Sequence, residues 1–125
     1  MVMQMRDVKD IDSVTLEYGG YFDGTERRKV SFDGEDIKVE REFYNGASDQ
    51  GENLFTGVTK SDFLSDLEDI HIETWKSKYD DNDVMDGTQW ELIVEYENGE
   101  TDEFYGSNDF PPNFDRLLEL MEMEA

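Results

Sequence analysis

The densest run of side chains that could do chemistry is Asp80, Asp81, Asp83 and Asp86, with Asn82 between them. Hard cations such as Ca²⁺ take about six to eight oxygen ligands, and this run could supply several. The EF-hand spacing fails, because Val84 stands at the fifth position where a further oxygen ligand belongs. Charge runs usually face water, so the segment reads first as a solvated loop. No metal site is assigned; Asp80, Asp81 and Asp83 are the residues that would ligate a cation if one bound. His71 is the only imidazole, and its neighbours Ile70 and Ile72 suggest a packing context. No Ser or Lys constellation accompanies it, as nucleophilic catalysis would need. Ser107, in Gly-Ser-Asn, resembles no nucleophile elbow and reads as a turn residue. No phosphate-cradling glycine loop is present, and among 33 acids no catalytic carboxylate pair can be singled out. With no cysteine, disulfides, zinc-thiolate sites, iron–sulfur ligation and thiol catalysis are excluded. We therefore expect no enzyme, no catalytic residue and no cofactor.

One polar constellation remains. Asp86, Thr88, Gln89, Ser107 and Asn108 fall near one end of the same two predicted strands. They either tie adjacent turns together or line a ligand pocket, and the tie is the more common use of such residues. Trp75 and Trp90 read as core anchors, with a rim position open for Trp75.

The charge is the stronger signal. The chain has 125 residues, 33 acidic and 11 basic, for a net charge of −22. Such a protein does not seek nucleic-acid phosphates or an anionic membrane surface without a local basic patch. The aromatic fraction of 13% argues against a disordered acidic chain. Residues 1–41 carry −3 and residues 42–125 carry −19, while Arg27, Arg28 and Lys29 form a small basic cluster. An acidic face is expected from Glu91, Glu95, Glu97, Asp102, Glu103, Glu119 and Glu122. Its natural partner is a basic protein surface, since long-range attraction raises on-rates.

The elements that must position these residues follow from periodicity. Val14, Leu16 and Tyr18 alternate in a strand that Gly19-Gly20 breaks. Arg27 to Phe32 is a second strand with Val30 and Phe32 inward, and Asp33-Gly34 signals a two-residue, type I′ hairpin turn. Ile37, Val39 and Phe43 continue the alternation in a third strand, which could resume near Leu54-Phe55 after a loop. Thr59 and Asp62 form an acidic capping box before Phe63, Leu64, Leu67 and Ile70, at helical spacing. Ile72, Trp75 and Tyr79 lie on a short irregular helix or an extended crossing segment. Trp90, Leu92, Val94 and Tyr96 mark the clearest strand. Asn98-Gly99 then predicts a two-residue turn, setting Tyr96 opposite Thr101, Ile93 opposite Phe104 and Leu92 opposite Tyr105. Pro111-Pro112 leads into a last helix over 113–123, with Phe114, Leu117, Leu118 and Met121 on its apolar face.

The order βββ–α–ββ–α predicts an α+β fold: an antiparallel sheet of about five strands with two helices on one face. Length fits a single domain over 1–125, with residues 1–10 as a flexible lead-in. No stretch approaches the roughly 18–20 apolar residues of a membrane span. Met1 to Met5 has no apolar h-region, and the cysteine-free chain fits a cytoplasmic location.

The chain resembles a family of small, largely uncharacterised bacterial proteins. The matching residues are Leu16 to Phe22, then Ile72, Trp75 and Tyr79, then Asp86-Gly87-Thr88-Gln89-Trp90-Glu91-Leu92. Tyr96 to Gly99, Gly106-Ser107-Asn108, Pro112, Phe114 and Leu117-Leu118 complete the pattern. The resemblance covers most of the chain and implies the fold but no activity. The acidity here exceeds that expected of the family, which leaves a specialised acidic role or a high-salt host open. Three functions are therefore in view. The first is a binding module whose acidic face engages a basic partner. The second is a DNA-mimic inhibitor of a nucleic-acid-binding enzyme, of the anti-CRISPR or anti-restriction type carried by mobile elements. The third is a halophile's domain with a solvated acidic coat.

Overall fold

A computed structural model describes residues 10–20, 24–44, 55–80, 88–107 and 109–123. The fold is α+β. Its strands are β1 (Ile11–Gly20), β2 (Gly24–Asp33), β3 (Asp36–Tyr44), β4 (Lys78–Asp80), β5 (Thr88–Tyr96) and β6 (Thr101–Ser107). The helices are α1 (Lys60–Ile70) and α2 (Phe114–Leu120), with one 3-10 turn at Ile72–Thr74. All six strands form one sheet in the order β3-β2-β1-β5-β6-β4. The sheet is mixed rather than antiparallel: β4 runs parallel to β6. The extra strand escaped the sequence reading because three residues show no periodicity; the crossing segment is a 3-10 turn followed by this short edge strand.

Alternation decides the two faces. Val14, Leu16, Val30, Trp90, Leu92, Val94, Tyr96 and Phe104 are buried on one face, under Phe63, Leu67, Ile70, Phe114, Leu117 and Met121 of the helices. Both tryptophans belong to this core. Trp75 packs edge-to-face on Trp90 and Phe104, with ring centroids 6.1 and 5.9 Å apart. The core therefore rests on large rings, each burying about 150–250 Å².

The local signals work as expected at α1. Thr59 Oγ1 accepts the Asp62 N–H at 3.2 Å, and Asp62 Oδ2 accepts the Thr59 N–H at 3.3 Å. Glu35, in the β2–β3 turn, accepts both the N–H and the hydroxyl of Ser61, which holds its carboxyl below the usual range. The hairpin thus docks on the start of the helix. At the other end, His71 adopts a left-handed conformation with φ 60°. Its ring is exposed and lies 2.9 Å from Glu73, so its role is backbone termination rather than packing.

Several expectations are corrected. β1 runs through Gly19 and Gly20 instead of breaking there. Glycine is needed at 19 because a Cβ would meet the Gly24 carbonyl and lie 2.6 Å from Thr25 on β2. In the Gly34-Glu35 loop only Gly34 has positive φ, as in a type II′ turn rather than type I′. Phe55 does not resume β3; it sits in a turn with φ 58° and packs edge-to-face on Phe63. Leu54 lies outside the described residues.

The β5–β6 register differs by one residue from the predicted one: Leu92 pairs with Phe104 and Ile93 with Glu103. The loop holds three residues, Glu97-Asn98-Gly99. The Gly99 N–H bonds to the Tyr96 carbonyl, and Gly99 at φ 90° makes the bulge that closes the ladder. A one-residue slip exchanges the two faces of a strand. The observed register is the one that buries Phe104 and points Tyr105 outward.

Helix α2 is shorter than predicted and ends at Leu120. The Glu122 N–H bonds to the Glu119 carbonyl and the Met123 N–H to that of Leu118, with Glu122 at φ 56°. This is a Schellman ending with glutamate where glycine is usual. Arg28 completes it. Its buried guanidinium donates from Nη1 to the carbonyls of Met121 and Glu122 at 2.7 and 2.6 Å. No helix among the described residues is long and apolar enough to cross a membrane. Residues 1–9 of the expected lead-in lie outside the described residues. Asp10 is held in place, its carbonyl accepting the Glu97 N–H at 2.8 Å.

Candidate functional site

Strand register lines up side chains in rows across the face of the sheet away from the helices, on which Ser13 and Thr15 are buried. One row reads Glu42, Arg27, Glu17, Glu91, Tyr105 and Lys78, from β3 to β4. The next reads Glu40, Lys29, Thr15, Ile93 and Glu103. A third reads Lys38, Ser31, Ser13, Glu95 and Thr101. Arg27, Lys29 and Lys38 stand on β2 and β3 with Glu42 and Glu40 among them, whereas β5 and β6 contribute Glu91, Glu95 and Glu103 and no cation, and Lys78 stands beyond them on β4.

The consequence for each carboxylate depends on its distance from those cations. Glu17 and Glu91 are directly opposed like charges, which destabilises a sheet unless compensated. Arg27 compensates, with Nη1 3.2 Å from Glu17 and 3.9 Å from Glu91. Glu95 and Glu103 each lie three strands from the nearest lysine in their rows, Lys38 and Lys29. At about 4.8 Å per strand that is some 14 Å, beyond the screening length of about 10 Å at 0.1 M salt. Within its own row each of these two carboxylates has no cation nearer than that, although Lys78 of β4, opposite Tyr105, stands one row from Glu103.

The hairpin tip adds to them. Residues 88–107 carry six acids and no base. The tip is fixed by local bonds. Asn98 Oδ1 accepts the Glu100 N–H at 2.9 Å, Asn98 Nδ2 donates to the Glu100 carboxylate at 3.0 Å, and the Tyr96 hydroxyl donates to Asp102 at 2.8 Å. Glu95, Glu97 and Glu103 thus project from a rigid, base-free hairpin.

The seven residues of the expected acidic face do not share one surface. Glu91, Glu95 and Glu103 lie on the face away from the helices, Glu97 in the turn, and Asp102 on the core-side rim. Glu119 lines a cleft between the helices with Asp66 and Arg116. Glu122 is structural: its carboxylate accepts the Phe55 N–H at 3.0 Å. The structure therefore brings the hairpin group together and separates the helical pair from it. Glu100, absent from the sequence-derived set, belongs to the tip; its place in a base-free run was the signal that could have found it.

The polar constellation is also divided. Gln89 and Ser107 are cross-strand partners and line an open depression of about 410 Å³ with Glu17, Glu91, Tyr105 and Lys78. Thr88 faces the other side, because successive strand residues point to opposite faces. Asp86 and Asn108 lie outside the described residues. A tie at this end of the sheet is made by Trp90, whose indole N–H donates to the Asp109 carbonyl at 2.9 Å. Of the possible cation ligands, Asp80 ends β4, while Asp81 and Asp83 lie outside the described residues. Among the described residues no group of three or more His, Asp or Glu side chains is placed to hold a metal ion.

No family model, curated protein or solved structure matches the chain.

Proposed function

We propose that this protein is a non-enzymatic binding module, and that its β5–β6 hairpin meets a basic protein surface. The observation that carries the reading is the separation of charge within one sheet. Arg27, Lys29 and Lys38 stand on β2 and β3, and Glu95, Glu97 and Glu103 stand on a hairpin that itself carries no base, with Lys78 on the β4 strand beside it. A fixed acidic projection of this kind steers a basic partner and falls in affinity as salt rises.

A lysine-rich peptide serves as the probe in a titration of the full chain. The expected result is binding that weakens steeply with salt and is lost in the triple variant E95Q/E97Q/E103Q. Neutralising Asp66, Glu68 and Asp69 on α1 removes the same number of charges and should leave most of the binding. If both triple variants weaken the peptide equally, the acidity acts only as a diffuse coat and the reading is wrong.

A further inference from the structure

We propose that the cleft between α1 and α2 binds a free α-amino acid with an aliphatic side chain. Arg116 takes the ligand's carboxylate, Asp66 and Glu119 take its ammonium group, and Ile70 and Leu120 meet its side chain. The cleft shares no residue with the β5–β6 hairpin, so the two readings can be tested separately.

The helices supply the walls. The Asn113 side-chain amide donates to the Ile70 carbonyl at 3.5 Å, which sets the start of α2 against the end of α1. Beside this contact lies a cleft of about 340 Å³, lined by Asp66, Ile70, Arg116, Glu119 and Leu120. Ile70 is buried and Leu120 half-buried, so the floor is apolar. Asp66, Arg116 and Glu119 are exposed and form the rim. The volume falls at the lower end of the roughly 300–1,000 Å³ of small-molecule sites.

The rim charges face the same space without pairing. Arg27, Arg28 and Arg41 each hold a carboxylate, at 3.2, 2.6 and 2.9 Å. Arg116 is the other arginine among the described residues, and among them it has no ion pair, although Asp66 and Glu119 line its cleft. Arg116 and Glu119 stand three residues apart on one helix, a spacing at which opposite charges ordinarily meet.

Charge selects the ligand. A guanidinium only donates and a carboxylate only accepts, so a ligand that satisfies both must carry an anionic and a cationic group. An anion alone would face two carboxylates and a chain of net charge −22. A cation alone would face the Arg116 guanidinium. A zwitterion has no net charge, and the chain's acidity does not repel it. The guanidinium fork matches a carboxylate with two parallel N–H bonds. The apolar floor rewards burial of an aliphatic side chain. All these groups meet in an α-amino acid such as leucine. The cleft is open and the ligand small, so the dissociation constant should be on the order of 1 mM.

An NMR titration of the full chain with L-leucine, at about 0.15 M salt to screen the general charge, tests this. The expected result is a saturable shift of the amide signals of residues 66–70 and 116–120. Leucinamide lacks the carboxylate and 4-methylpentanoate lacks the ammonium group; each should bind about tenfold more weakly or worse, the loss of one charge-assisted contact. Arg116→Gln should weaken leucine by a similar factor and bring it level with leucinamide. D66N/E119Q should bring it level with 4-methylpentanoate. All three side chains are exposed, so the circular dichroism of these variants should match that of the parent. Shifts that do not saturate by about tenfold above the expected constant, leucinamide or 4-methylpentanoate binding as well as leucine, or leucine binding unchanged in R116Q would overturn the proposal. None of these outcomes bears on the lysine-rich peptide and the hairpin.

Discussion

Arg28 is the residue on which the two layers of the molecule turn. It stands on β2 facing the core, 2% exposed, between the carboxylate of Glu26 and the two carbonyls just past the end of α2. Glu26 is shared with Arg41, whose Nε donates at 2.9 Å. Burial alone would raise the Glu26 carboxyl, but the hydrogen bonds and charges of Arg41 and Arg28 outweigh it and hold the group below its ordinary value of 4.5. Removing the arginine leaves the Met121 and Glu122 carbonyls without their donor and Glu26 with Arg41 alone. Arg28→Ala should therefore cost about 1–3 kcal/mol, read as a drop in the denaturant midpoint. Glu26 makes a pH prediction with a definite sign. Because its folded pKa is depressed, its contribution is fully present above the ordinary carboxyl value and drains as pH falls through the folded one. The midpoint of Glu26→Gln should accordingly lose less on acidification than that of the parent chain. Arg28 was visible in the sequence only as part of a basic cluster. Nothing in the spacing of Arg27, Arg28 and Lys29 says that the middle residue turns inward, because the strand's alternation is apolar only at Val30 and Phe32.

At the scale of elements, the signals that were local proved legible and those that needed a distant neighbour did not. The Thr59–Asp62 box predicted the start of α1 because its geometry closes within one turn. Thr59→Ala should cost about 1 kcal/mol in thermal or denaturant unfolding. The β5–β6 hairpin was legible as a hairpin, but its register was not. Asn-Gly serves a two-residue turn and a three-residue turn alike, and burial of Phe104 selects between them. Gly99→Ala tests that choice: a side chain at φ 90° should lower stability by about 1 kcal/mol and leave the fold intact. β4 was illegible because it is held by two bounded contacts, the parallel ladder to β6 and the Tyr79 ring 6.1 Å from Trp90. The acidic surface was half legible. Composition located the charge on the second half of the chain, but it could not tell Glu95, far from any cation of its row, from Glu122, already committed to the Phe55 N–H.

At the scale of the whole molecule, −22 charges on 125 residues set a salt dependence of their own. Self-repulsion opposes the compact state, and salt screens it. The melting temperature should rise from low to moderate salt and then level off, as calorimetry over a KCl series would show. A chain that instead unfolds at low salt would belong to the high-salt class. The order of strands carries a further consequence. The centre of the sheet is the pair β1–β5, whose residues lie at opposite ends of the sequence, Val14 beside Val94 and Leu16 beside Leu92. During synthesis β1, β2 and β3 leave the ribosome as a complete meander, while β5 is still unmade. Until it arrives, the inner side of β1 is a bare apolar edge in the middle of the future core. A nascent or truncated chain that stops before Thr88 therefore displays a sticky half-sheet, and quality-control machinery would meet it there.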